Sequence, residues 1–170
     1  MQEENLSILR SLKQNIEEIS VPLDTAQTEV LGENTDKVQK ASDLIMGELT
    51  MIVLLLMGTD SEISTQELEL LNDMRHVVYG YGIPELNSND YAELCQKFLH
   101  LYPERKLTLD HLPSSIRLLT IYEKTHRTAF AVNARTLFIQ FAEAIVKADK
   151  REDAVEAMIL ANFLDILNAV

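Results

Sequence analysis

Asp60 and Glu67, and again Asp149 and Glu156, stand at two junctions where one apolar stretch of the chain ends and the next begins. Carboxylates so placed can do two kinds of chemistry. They can accept hydrogen bonds from the free amides that open a helix, or they can hold a divalent cation or a basic partner. Ser64 with Glu67, and Asp153 with Glu156, have the spacing of a capping box, in which a short side chain and an acid three residues on satisfy each other's backbone amides. Asp60 and Asp149 have no such local duty. Two readings therefore stand side by side: caps alone, or caps plus a site formed by Asp60, Glu67, Asp149 and Glu156.

A rival chemistry is written in Asp73-x-x-His76 and Glu123-x-x-His126, together with Glu48 inside an apolar segment. Di-metal carboxylate bundles use helical Glu and Glu-x-x-His ligands pointing into the core. A stripe of Leu68, Leu71, Met74 and Val78 sets the inward side of that helix and predicts Asp73 and His76 on the opposite, wet side. Glu48 is expected to be neutralised or paired near a helix edge. His100 and His111 read as surface residues, and Cys95 falls on a core face. The sequence holds no glycine-rich phosphate loop and no recognisable nucleophile motif, so a binding module is expected rather than an enzyme.

The segment Asp60 to Glu67 resembles the second half of an EF-hand loop, with an inward Ile63 and a terminal glutamate. Leu56 and Gly58 occupy the places of the first two carboxylates. One turn alone is thus short of the six to eight or so oxygens that Ca²⁺ takes. A Ca²⁺ or Mg²⁺ site would need both turns, or water.

The elements that must position these residues are helices. With 46% hydrophobic residues and only 5 Gly and 4 Pro in 170, the chain can bury a core and has little turn material for a sheet. Leu6, Leu9, Leu12, Ile16 and Ile19 predict a first helix that stops before Pro22, followed by a polar connector from Asp24 to Asp36. A second helix, about Lys37 to Met57, is apolar nearly all round and so central. Further stripes are Leu68 to Tyr81, closing at Gly80 and Gly82, and Tyr91 to Leu101, capped by Asn87, Ser88 or Asn89. Ile116, Leu119 and Tyr122 follow the opening Pro113-Ser114-Ser115. The last two are Ala134 to Ala148, and Val155, Ile159, Phe163 and Leu167.

Sliding the sequence on itself by 89 positions brings Leu49 to Phe138, Ile52 to Phe141, Leu56 to Ile145, Leu71 to Leu160, Met74 to Phe163 and Val78 to Leu167. Asp60 meets Asp149 and Glu67 meets Glu156. The expectation is an all-α single domain over 1–170, a bundle of about seven helices with an internal pseudo-twofold. It comprises an N-terminal helix and connector (1–36), a first repeat (37–82) and a second repeat (126–170).

Lys and Arg number 15 against 27 Asp and Glu, a net charge of −12. Such a surface repels nucleic acid and anionic lipid and attracts cations or basic protein surfaces. Cys95 is the one cysteine, which excludes an internal disulfide and fits a reducing cytoplasm. No signal peptide is expected at the N-terminus, and the longest apolar stretch, Leu44 to Met57, is too short and too polar to cross a bilayer.

The two junctions are where the chain resembles the tellurite-resistance TerB-like family, which places an Ala-Asp-Gly-x-Ile-x-x-x-Glu type motif between helices, twice. Here the copies read Thr59-Asp60-Ser61-Glu62-Ile63 through Glu67, and Ala148-Asp149-Lys150 through Glu156. Ser61 and Lys150 stand in place of the glycines, and Glu152 in place of an aliphatic residue. Pro113 to Leu119 with Tyr122, Phe141-Ala142 and Lys147-Ala148-Asp149 are also similar to the second half of such domains beside AAA-type ATPases. The resemblance spans about Lys37 to Leu167. It implies an all-helical module in a stress-response system, whose Asp60, Glu67, Asp149 and Glu156 bind a divalent cation or a partner protein, such as an AAA-type ATPase. It leaves the oligomeric state open.

Overall fold

The computed structural model describes residues 3–32, 40–57, 63–80, 82–101, 108, 111–148 and 154–169. Among them lie seven α-helices: α1 (Glu3–Leu31), α2 (Ala41–Met57), α3 (Thr65–Tyr79), α4 (Ser88–Leu101), α5 (Ser114–His126), α6 (Phe130–Ala148) and α7 (Ala154–Asn168). The expected all-α bundle is what forms. None of these helices is long and apolar enough to cross a membrane.

The first helix departs from the sequence reading. It does not stop before Pro22 but runs through it to Leu31, so the polar connector expected from Asp24 is helical for another two turns. A proline here forfeits one hydrogen bond and crowds the preceding turn. Burial outweighs that cost, because the inward stripe of Leu9, Leu12, Ile16 and Ile19 continues in register as Leu23 and Ala26, all within the core. The helix ends where Gly32 takes a φ of 84°, its amide donating to the Thr28 carbonyl at 3.0 Å. At about 1.5 Å per residue its 29 residues span roughly 44 Å. This length lets α1 lie against α2, α3, α5 and α6.

The central position expected for α2 is observed. Ile45, Met46, Leu49 and the run Ile52 to Leu56 are buried, and the helix packs on α1, α4, α5, α6 and α7. A shift of 89 residues carries Ala41 onto Phe130, the first residue of α6, and Thr65–Tyr79 onto the bounds of α7. Leu49 and Phe138, Ile52 and Phe141, Leu56 and Ile145, and Met74 and Phe163 are buried pairs under that shift. α2 touches α7 as α3 touches α6, while α6 also packs along α7 and α3 turns to α1. Val155, expected inward, is instead exposed, and the inward stripe of α7 begins at Ile159.

Replacing the partly buried Pro22 by Ala restores the missing backbone amide. The expected result is an unfolding free energy higher by about 1 to 3 kcal/mol, seen as a higher urea midpoint at unchanged slope, once proline's restraint on the unfolded chain is allowed for. An unchanged or lower midpoint would mean that the helix passes through Pro22 at no cost.

Candidate functional site

The first acidic junction begins as a capping box. Ser64 is extended (φ −70°, ψ 158°), its hydroxyl accepts from the Glu67 amide at 3.2 Å, and its own amide donates to Glu67 Oε2 at 2.6 Å. Glu67 is only 5% exposed. The carboxylate is therefore engaged in starting α3, as the Ser-x-x-Glu spacing predicts. Asp60 and Asp149 lie outside the described residues. Glu156 sits in the first turn of α7, with its side chain outside what is described. Of the four candidate ligands, Glu67 alone is thus placed, and it is placed in a cap.

Three carboxylates at different depths, Asp24 exposed, Glu123 half-buried and Glu48 buried, have one duty in common. Lys40, Pro113 and Ala129 precede α2, α5 and α6 and receive the first backbone bonds of those helices, from Leu44, Arg117 and Asn133. None of the three carries a side-chain acceptor for the free amides of the first turn. The acceptor comes from another helix each time. Asp24 on α1 accepts from the Ala41 amide at 2.9 Å, Glu48 on α2 from the Ser115 amide at 3.0 Å, and Glu123 on α5 from the Ala131 amide at 2.7 Å. Where the chain supplies its own cap, at Ser64 and at Asn87, the bonds are local; the Asn87 side chain accepts from the Asn89 and Asp90 amides.

Glu48 is the most deeply buried of these three, 7% exposed. One of its oxygens takes the Ser115 amide and the other the Ser115 hydroxyl at 2.5 Å. Burial raises its pKa above the ordinary carboxylate value, and hydrogen bonding from Ser115 and from the Ser114 amide pulls the other way. The expectation that Glu48 would be paired near a helix edge is met, with a helix N-terminus as the partner.

The acid-x-x-His sequences are placed apart from one another's chemistry. Glu123 caps α6, and His126 stacks on Tyr122 with ring centroids 3.9 Å apart and meets Glu29 at 3.5 Å. Contrary to the wet side expected, His76 is buried at 9% exposure and Asp73 is half-buried. The reason is that α1 packs beside α3, with Arg10 to Glu17 facing the turn that carries His76. Burial, then the charge of Glu69, raises the Asp73 pKa, against a lowering by His76. Asn72 on the same helix is also buried, its amide and carbonyl oxygen paired with the Leu86 backbone at 2.9 and 2.8 Å. Among the described residues no group of three or more His, Cys, Asp or Glu is arranged to hold a metal ion. Cys95 is buried in the core, as its place in the stripe predicts.

Two surface concavities flank α1. One of about 300 Å³ lies against α6, with Leu12, Leu137 and Phe141 as its floor and Asn15, Gln140 and Lys147 at its edge. The other, about 650 Å³, lies against the C-terminal end of α3.

The Glu48 cap gives a two-part prediction. Glu48→Ala strands two buried donors of Ser115 and is expected to destabilise by about 1 to 3 kcal/mol for each. Glu48→Gln keeps an acceptor for the amide and a donor for the hydroxyl, and folds. A carboxyl whose folded pKa is raised contributes most below its unfolded pKa and loses that contribution as pH rises through the folded value. Wild type should therefore lose ground to Glu48→Gln in urea titrations as pH rises above the ordinary carboxylate range, and a difference that does not vary with pH would refute this account of the buried carboxyl.

Compared with protein-family models, curated proteins and solved structures, the chain finds no match in any of the three.

Proposed function

We propose that this chain is a non-enzymatic helical binding module of TerB-like type, whose acidic inter-helix turns recruit a basic protein surface. The observation that carries the reading is the Ser64–Glu67 box. A carboxylate closed into a cap and 5% exposed is poorly placed to ligate an ion, whereas the charge of such turns still acts at a distance on a cationic partner. The net charge of −12 favours the same partners. The resemblance supplies the setting: a cytoplasmic stress-response system of the tellurite-resistance kind, with an AAA-type ATPase as one form the partner takes.

The test is capture of partners from lysate by wild type and by the Asp60→Asn, Asp149→Asn double variant, at low and high salt. Loss of two negative charges is expected to weaken binding roughly fivefold, and high salt to mimic the loss. An identical set of partners from both proteins in both conditions would refute the proposal. Calorimetric heats with Ca²⁺ or Mg²⁺ that vanish in the double variant would move the function from a protein partner to a cation.

A further inference from the structure

The groove of about 650 Å³ between α1 and the end of α3 has two unlike walls. On α1, Arg10, Lys13 and Glu17 follow one another at helical spacing along a single exposed face. On α3, Val77 and Val78 pack against the core and are half-buried, and Tyr79 stands 47% exposed at the rim beside Gly80. Arg10 and Lys13 are the only basic residues of α1. Neither makes an ion pair or hydrogen bond among the described residues. In a chain with 27 acids and 15 bases, two unpaired cations beside an apolar wall and an accessible tyrosine are a local reversal of the surface character.

We infer that this groove docks an acidic, amphipathic helix of a partner protein, by a contact separate from the acidic turns. Charge decides the occupant. A basic segment meets Arg10 and Lys13 with like charge, and an anionic membrane, wider than the groove, presses its headgroups against the acids around it, whereas a single helix is narrow enough to meet the groove alone. A helix with an apolar stripe lies along Val77, Val78 and Tyr79, in the groove-binding mode where anchors recur at i, i+3 and i+7. Its acidic residues flank that stripe and meet Arg10 and Lys13. Glu17, one turn further along α1, sets the polarity, so the acidic end of the ligand lies toward Arg10. Tyr79 supplies a rigid aromatic anchor of the kind that dominates such contacts.

The experiment is selection of displayed helix-forming peptides on the wild-type protein, with counter-selection on an Arg10→Glu, Lys13→Glu variant. Both positions are exposed, so the variant should keep the wild-type circular dichroism and urea midpoint. Expected winners carry Asp or Glu beside an apolar stripe. They lose about tenfold in affinity on the charge reversal and weaken on Tyr79→Ala. They bind the Asp60→Asn, Asp149→Asn variant at full strength, which keeps this inference separable from the function proposed above. Winners that are basic or neutral, winners indifferent to the charge reversal, or no enrichment at all would overturn it. So would a concentration-dependent dimer, seen by sedimentation and abolished by the same reversal, which would assign the groove to a second copy of the chain.

Discussion

A helix that begins inside a bundle presents amides with no carbonyl to meet, and water cannot reach them all; an acceptor must come from somewhere. In this molecule the residue before the helix decides the source. Ser64 and Asn87 accept for themselves. Lys40, Pro113 and Ala129 have nothing suitable to offer, and Asp24, Glu48 and Glu123 reach across from neighbouring helices instead. These three bonds form a sequence, α1 to α2, α2 to α5 and α5 to α6. Each helix of that series thus fixes where the next one starts, and the negative charge is matched to the positive end of the helix it caps.

Packing and capping depend on one another here. Asp24 reaches Ala41 because α1 continues through Pro22, and α1 continues because Leu23 and Ala26 extend its buried stripe. The same continuation brings Glu29 to His126. The half of α1 before Pro22 lies beside α3, where Arg10 to Glu17 face the turn that holds the buried His76, while Asn72 is tied to the Leu86 backbone. One extended helix therefore accounts for several polar contacts that no short-range pattern contains. Concavities lie on both of its flanks, lined by polar and charged residues.

Most of the helical layout is legible from the chain. The 89-residue repeat places α6 and α7 from α2 and α3 to within two residues, because apolar periodicity survives substitutions such as Leu49 to Phe138. The capping box is legible too, since its four residues are contiguous and its geometry is local. Three things are not. A proline is read as a helix stop when only the strength of tertiary burial tells whether it is one. Asp24 and Glu123 look like a connector residue and a metal-ligand motif, and their partners stand 17 and 8 positions away. The side of α3 that meets α1 cannot be judged wet or dry from α3 alone. A usable signal did exist for the carboxylates: a predicted helix start with Lys, Pro or Ala in the cap position asks for an acceptor, and an acid on an otherwise apolar helix, such as Glu48, is the natural supplier.

The series of cross-helix caps is tested most directly by amide hydrogen exchange, residue by residue, at Ala41, Ser115 and Ala131. First-turn amides ordinarily lack a hydrogen-bonded partner and exchange quickly, whereas local opening of a buried, bonded amide is slow. The account predicts that all three exchange as slowly as amides in the middle of α2 and α6. Exchange at the rate of unprotected amides would contradict it.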